Sequence, residues 1–201
     1  VPMEDRNEVV YYIEVRDNDA GLGLLELPDP PGKVSLSARQ RLRVRDEQAE
    51  HDQNIQSLRA LRDQAVDLLA ARLTSDAFDA DPQSPLTALE QARDLHSAAG
   101  EVLTNMSQAI DALAQDTMVR ERDAAILVEV HRRLMEKHRE EETIHADVPP
   151  GAEYRDDFKE SDLGGFRRKA AKHNQKEIEQ LEDEIIRLDD LVDGQIIAQL
   201  E

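Results

Sequence analysis

Histidine and carboxylate side chains are the groups in this sequence that could bind a metal ion or carry protons. Four of the histidines share one position of a seven-residue repeat: His96, His131, His138 and His145. Seven residues span about 10.5 Å along a helix, whereas the nitrogen ligands of one zinc ion lie about 2.1 Å from it. A metal- or ligand-binding bundle built on this face would therefore need carboxylates from other helices. Otherwise these histidines either interrupt an apolar seam as pH-responsive polar residues or mark the place where that seam ends.

One carboxylate–histidine spacing has a known chemical use. Glu142 and His145 are separated as in the Glu-x-x-His motif of di-iron carboxylate bundles, which need two such motifs and two further glutamates. The sequence has no second Glu-x-x-His, no cysteine, and none of the nucleophile-elbow, dinucleotide-binding, P-loop or zinc-protease motifs. We therefore expect no catalytic residue, no cofactor and no metal site, and a protein that is not an enzyme.

The basic residues form two local clusters within an acidic chain. Overall, 44 acidic and 25 basic side chains give a formal net charge of −19, which disfavours binding to nucleic acid across the whole surface. One cluster, which we assign to docking of a partner, consists of Arg39, Arg41, Arg43 and Arg45. The other cluster, at residues 164–169, either binds phosphate at a helix start or pairs with nearby acids after glycines that permit a sharp helix entry.

The prolines and the composition predict the elements that position these groups. All eight prolines lie outside three long stretches of the chain. Because proline inside a helix costs about 3 kcal/mol, these stretches predict three long helices, at about 37–73, 86–142 and 164–200. The second would be on the order of 80 Å long and serve as a spine. Residues 34–45 also show the period-two alternation of a strand, so a helix that starts later, after a strand, is the competing prediction.

The third predicted helix has the clearest apolar seam, in which β-branched residues alternate with leucine. Its members are Ile178, Leu181, Ile185, Leu188 and Val192. Acidic residues flank this seam, so two parallel copies would repel each other. We expect instead an antiparallel hairpin that folds back about residues 149–150 onto the second helix. That hairpin would bring Arg132 and Arg133 near Glu177 and Glu179, and we also name the five seam residues as a candidate partner-binding surface.

The N-terminal segment has a different character. Residues 9–15 form the most β-prone run in the chain, residues 16–21 supply turn residues, and residues 22–27 could return as a second strand. We therefore divide the chain into a β-prone segment at 1–35, forming a hairpin or docking strand, and a helical region at 36–201. The predicted fold class is mainly α, with three long helices in an elongated antiparallel coiled-coil or helical bundle whose first two helices are antiparallel neighbours.

These features predict a structural or adaptor subunit of a larger assembly, such as a virion or phage-tail component, a secretion apparatus or a scaffold complex. It would bind protein partners with helical, basic faces through its coiled-coil faces and its N-terminal strand, or associate with copies of itself. The alternatives are the metal- or ligand-binding bundle on the histidine face and a regulatory adaptor that docks through residues 39–45 onto an anionic partner. The sequence has no run of about 18 apolar residues and no apolar signal core, so we expect no membrane insertion and a location in the cytoplasm or within a macromolecular assembly.

Overall fold

A computed structural model describes residues 8–16, 34–43, 46–79, 85–155, 157 and 163–200. The chain divides into two compact units, Val1–Asp46 and Glu47–Glu201. Within the described residues the first unit contains strands and the second contains helices. The boundary lies about ten residues later than the predicted one, because residues 34–43 belong to the β unit.

The described part of the first unit is made of two antiparallel strand pairs. The strands are β1 (Glu8–Tyr11), β2 (Glu14–Arg16), β3 (Val34–Leu36) and β4 (Gln40–Arg43). Strand β1 pairs with β4, and β2 pairs with β3. The competing prediction of a strand over residues 34–45 is therefore confirmed for 34–36 and 40–43, whereas the predicted return strand at 22–27 lies outside the described residues.

A β-bulge joins these two pairs into one ribbon. Tyr11 is opposite Gln40 and Glu14 is opposite Leu36, so two residues of one strand face three of the other. At this point the backbone N–H of Ser37 donates to the carbonyl of Ile13 at 2.8 Å, and the Ser37 Oγ accepts from the N–H of Ile13 at 2.9 Å. We call residues 8–16 together with 34–43 the ribbon.

Four α-helices, rather than the three predicted, lie in the described part of the second unit. They are α1 (Glu47–Thr74), α2 (Pro85–Leu113), α3 (Glu121–His145) and α4 (Leu163–Leu200). Helix α1 packs against α2 and α4, and α3 packs against the same two helices, which gives an antiparallel four-helix bundle. The prediction of a helix beginning at about 37 is wrong, because residues 34–43 take their backbone hydrogen bonds from the β-prone residues 8–16.

The predicted spine helix is wrong because the chain reverses at residues 114–120. The Asp116 carboxylate there accepts hydrogen bonds from the backbone N–H of Met118 at 2.9 Å and from Asn54 of α1 at 2.7 Å, and it lies 2.9 Å from the Nδ1 of His51. Burial raises the pKa of Asp116, but these hydrogen bonds lower it by more and keep the carboxylate charged. This reversal makes α2 and α3 antiparallel neighbours.

The apolar core runs along the bundle axis. Its most deeply buried members include Leu58, Met106, Leu127, Leu181 and Leu188. A leucine side chain buried to this extent contributes about 1.5–3 kcal/mol through removal of its surface from water. The hydrogen bonds Asn54–Asp116 and Gln64–Asn105 show that the first two helices are antiparallel, as predicted. The contacts Asp123–Gln195 and Glu140–His173 show the same for α3 and α4. Among the described residues, no helix has the length and apolar character needed to cross a membrane.

The ion pairs predicted between α3 and α4 differ from those observed. Arg132 pairs within its own helix, with Glu129 at 2.8 Å and Glu136 at 3.5 Å, and Arg133 approaches Glu184 at 3.5 Å. Glu177 pairs instead with Arg72 of α1, a helix that the two-helix hairpin did not take into account.

Candidate functional site

Charged and polar side chains fill the core at the end of the bundle where α1 and α3 finish and α2 and α4 begin. We call this group the polar cluster; it consists of Arg72, His96, His138, Glu141, His145, His173, Asn174 and Glu177. Its members continue the apolar stripes of their helices. Arg72 follows Leu68 by four residues, and Glu141 follows Leu134 by seven, so both take positions that face the core.

Arg72 is the centre of the polar cluster. Its side chain is fully buried, and its two terminal nitrogens bind Glu141 side by side, Nη1 to Oε1 at 3.1 Å and Nη2 to Oε2 at 3.0 Å. Nη1 also donates to Asn174 Oδ1 at 3.1 Å, and Nη2 lies 2.8 Å from Glu177 Oε1. One guanidinium therefore ties together the ends of α1 and α3 and the beginning of α4.

Glu141 connects this ion pair to the histidines. The Nδ1 of His96, on α2, lies 2.9 Å from Glu141 Oε2. Burial alone would raise the pKa of Glu141, but the hydrogen bonds from His96 and Arg72 outweigh it and lower the pKa to about 2. The carboxylate is therefore ionised at neutral pH although almost no water reaches it.

Three of the four predicted histidines come together. The His96 ring stacks on His138 with centroids 4.1 Å apart and planes 10° from parallel, and its centroid lies 4.9 Å from that of His145. His138 and His145 are two turns apart on α3, but His96 reaches both of them from the antiparallel α2. His131 joins none of these ring contacts and lies two turns before His138 on α3.

Burial keeps the α3 histidines neutral. It lowers the pKa of His145 to about 4, with the Glu141 carboxylate opposing and the charges of His96, Arg93 and Arg72 adding to the shift. Burial and then the neighbouring His96 lower the pKa of His138. Among the described residues, the buried Nδ1 atoms of His138 and His145 have no hydrogen-bond partner, so each ring presents an unused lone pair or N–H to the interior.

His173 extends the polar cluster along α4. Its Nε2 lies 3.1 Å from Glu177 Oε2, one turn further along the same helix, and its Nδ1 lies 3.7 Å from Glu140 of α3. Arg72, His96 and His173 thus lie against the carboxylates of Glu140, Glu141 and Glu177. The polar cluster is therefore a network that links all four helices rather than a set of separate pairs.

Two sets of three groups in the polar cluster have the geometry to hold a metal ion. One is His96, Glu141 and His145, and the other is Glu141, His173 and Glu177, with the ligand atoms of each set within 4.8 Å of one another. Glu142, the carboxylate of the Glu-x-x-His spacing, is exposed. The acid that accompanies His145 is its neighbour Glu141, which lies four residues before the histidine and on the same face of α3.

A groove between α2 and α3 leads to the histidines. It has a volume of about 990 Å³, and its lining includes His96, Gly100, Leu103, His131, Met135 and His138. Gly100 adjoins His138, where a methyl group in place of its hydrogen would meet the ring at 3.5 Å. Burial lowers the pKa of His131 as well, although a backbone hydrogen bond with Leu103 partly offsets this.

The predicted partner-binding residues of the α4 seam face the interior of the bundle. The side chains of Leu181, Leu188 and Val192 are buried in the bundle core, and those of Ile178 and Ile185 are half-buried. The seam of α4 is therefore used within the chain's own bundle.

The predicted basic docking residues belong to the ribbon, in so far as they are described. Arg39 lies exposed in the bulge, Arg41 is exposed on β4, Arg43 ends β4, and Arg45 lies outside the described residues. The other basic cluster engages its own chain: Arg167 donates to the carbonyl of Asp79 at 3.1 Å, and Lys169 pairs with Asp147 at 2.7 Å. These contacts are the ones expected if the glycines at 164–165 serve helix entry.

The lowered pKa of His145 predicts a loss of stability in mild acid. Below pH 6.5 the unfolded chain takes up a proton at this position, whereas the folded chain does not until pH about 4. The free energy of unfolding should fall across this window by about 2 kcal/mol, after allowance for the exposed part of the ring. Urea unfolding at pH 7 and pH 4.5, in buffer with a chelator, should show a smaller fall for His145→Gln than for the wild type. Equal falls in the two proteins would contradict this assignment.

The fold and the site together define a class: an antiparallel four-helix bundle with a polar cluster in one end of its core, accompanied by an N-terminal β unit. Comparison with protein-family models, with curated proteins and with solved structures gives no match for this chain.

Proposed function

We propose that this chain is a non-enzymatic structural subunit that assembles with further copies of itself through its N-terminal ribbon. The observation that supports this proposal is the exposure of six large apolar side chains on a two-stranded ribbon. Each of these residues is 43–62 % exposed; they are Val10, Tyr11, Tyr12, Ile13, Val15 and Leu36. A local concentration of exposed apolar side chains is typical of an interaction site.

The apolar side chains lie on both faces of the ribbon. Val10 and Tyr11 are consecutive in β1, and successive side chains of a strand point to opposite faces. The same holds for Leu36 and Val15, because Leu36 is opposite Glu14, the residue before Val15. A two-stranded hairpin is marginally stable alone in water, so covering these faces would stabilise the ribbon as well as join the subunits.

A second copy of the chain has the chemistry to cover the ribbon. Within the described residues, each ribbon strand pairs along one side only, and an unpaired strand edge can accept another strand. One edge strand carries Glu14, and the other carries Arg41, and both side chains are exposed. Pairing the acidic strand of one copy with the basic strand of the next brings opposite charges together. Such a head-to-tail contact produces a ring or a filament.

The bundle leaves less apolar surface for a partner than the prediction of coiled-coil binding faces implied. The apolar seam of α4 packs on α1 and α3, so docking through helix faces would have to use the outer surfaces. Ile186 is among the large apolar side chains exposed there. The regulatory alternative, docking through the arginines at residues 39–45 onto an anionic partner, uses the ribbon's basic strand and is covered by the same proposal with another copy as the acidic partner.

Light scattering of the purified chain over a range of concentrations tests the proposal. We expect the wild-type mass to be a multiple of 22.7 kDa. The double variant Ile13→Lys/Val15→Lys should be monomeric at the same concentration, because lysines on the strands oppose edge-to-edge pairing. Circular dichroism should show unchanged helix content in this variant.

Ile186→Lys is the matched control, because Ile186 on α4 is as exposed, at 61 %, as Ile13 is, at 60 %. It should associate like the wild type. A wild-type chain that stays monomeric into the high micromolar range would overturn the proposal. Dissociation by Ile186→Lys with no effect of the ribbon variant would assign assembly to the helix faces instead.

A further inference from the structure

We propose that His96, Glu141 and His145 form a binding site for a single divalent transition-metal ion of the zinc type. Two imidazoles and one carboxylate are the donor set of several zinc sites that keep a fourth position open. The three ligand atoms lie within 4.8 Å of one another, on the facing sides of α2 and α3. In a tetrahedral zinc site neighbouring ligand atoms are about 3.4 Å apart. Small rotations of the three side chains would bring their ligand atoms to this spacing.

The polar cluster contains a buried nitrogen that no described protein group satisfies. The Nδ1 of His145 is buried and has no partner among the described residues, and a bound cation would relieve that unsatisfied atom.

The charges around the site favour a cation. The carboxylates of Glu141 and Glu177 share the single guanidinium of Arg72, so the polar cluster has a net negative charge when its histidines are neutral. Arg72 binds both oxygens of Glu141 and fixes their orientation, as outer partners of metal ligands commonly do. A carboxylate has about four acceptor positions, so these bonds leave room for a metal.

The overlapping set Glu141, His173 and Glu177 is a weaker candidate. Both of its carboxylates are bound by Arg72, so an ion there would share two carboxylates with the buried guanidinium and would have only one imidazole ligand. The set with His96 and His145 uses one carboxylate bound by Arg72 and two imidazole rings. It also has a path to solvent, because His96 lines the groove between α2 and α3.

Calorimetric titration of the full chain with Zn²⁺, after removal of metal with EDTA and desalting, tests this site. We expect one ion per chain and a Tm that rises with Zn²⁺ concentration, since a ligand that binds the folded state stabilises it. His96→Gln and His145→Gln should each weaken Zn²⁺ binding by more than the roughly 10–100-fold that outer partners contribute. Co²⁺ should produce visible absorption bands in the wild type that both variants lose.

His131→Gln is the matched control, because His131 shares the heptad position and the groove but not the ligand set. It should bind Zn²⁺ like the wild type. The absence of saturable binding by a folded wild-type chain would overturn the proposal. So would binding that survives His145→Gln but is lost in His173→Gln, since that result assigns the ion to the other set. A variant that loses both Zn²⁺ binding and its cooperative melt is replaced by His145→Asn, for which the same outcomes apply.

Discussion

Replacing Arg72 with methionine is expected to lower the free energy of unfolding by about 3–5 kcal/mol, the range measured when one partner of a buried ion pair is removed. The side chain of Arg72 is fully buried and contacts Glu141, Glu177 and Asn174. Methionine fills much of the same volume but removes the cation that Glu141 and Glu177 share, which leaves these two buried carboxylates with only His96 and His173 beside them. The loss therefore comes from uncompensated buried charge rather than from a cavity. Urea denaturation, which adds no salt, measures it through the transition midpoint.

Two further variants test whether the loss of stability comes from uncompensated buried charge. Arg62→Met removes an arginine of the same helix that pairs with Asp189 at 2.6 Å while its side chain is 31 % exposed, so it should lower the free energy of unfolding far less than Arg72→Met does. The triple variant Arg72→Met/Glu141→Leu/Glu177→Leu should recover most of the stability, because apolar groups of similar volume replace the buried charges. A loss of less than about 1 kcal/mol for Arg72→Met alone would show that the polar cluster relaxes or admits water.

The periodic apolar positions were sufficient to predict most of the helical architecture. The seams along α2, α3 and α4 have enough leucine to identify the helices, and short connections predict antiparallel neighbours. The break between α2 and α3 was missed because residues 114–120 contain neither proline nor glycine. Its stability depends on Asp116, whose partners His51 and Asn54 are more than sixty residues away in the chain. A local pattern does not contain that information.

The strands within residues 34–43 are a second case in which the local sequence alone does not determine the structure. Arginine and leucine at alternating positions are compatible with both a strand and a helix, and helix propensity favours the helix for these residue types. The decision comes from residues 8–16, whose backbone pairs with this segment across an intervening stretch of chain. Pairing with a distant strand overrides local propensity here.

The polar cluster was predicted in part. The heptad spacing named His96, His131, His138 and His145, and the first, third and fourth of these come together. The prediction placed all four on one long helix, so it missed that His96 reaches His138 and His145 from an antiparallel helix. The acids and the arginine were missed, although they had a signal. Glu141 continues the series of Leu127 and Leu134 at intervals of seven residues, and a charged residue at such a position must be buried with a partner.

Replacing Leu188 with alanine is expected to lower the free energy of unfolding by about 2–5 kcal/mol, whereas Ile186→Ala should change it by less than about 0.5 kcal/mol. The two residues are neighbours on α4, but Leu188 is 1 % exposed in the core and Ile186 is 61 % exposed. The alanine at position 188 leaves a cavity among side chains of the other helices. This pair of variants therefore distinguishes a seam that holds the chain's own bundle together from one that is kept for a partner.

The difference in stability between Leu188→Ala and Ile186→Ala should appear in urea midpoints measured on samples at equal, low protein concentration. If the α4 seam instead faced another subunit, Leu188→Ala would mainly change the mass in solution, and its effect on stability would grow with concentration. A small, concentration-independent effect at Leu188 would contradict the observed packing. A large effect at Leu188 together with an unchanged mass would leave the ribbon as the surface through which copies of this chain meet, because the seam would then be fully occupied by the bundle.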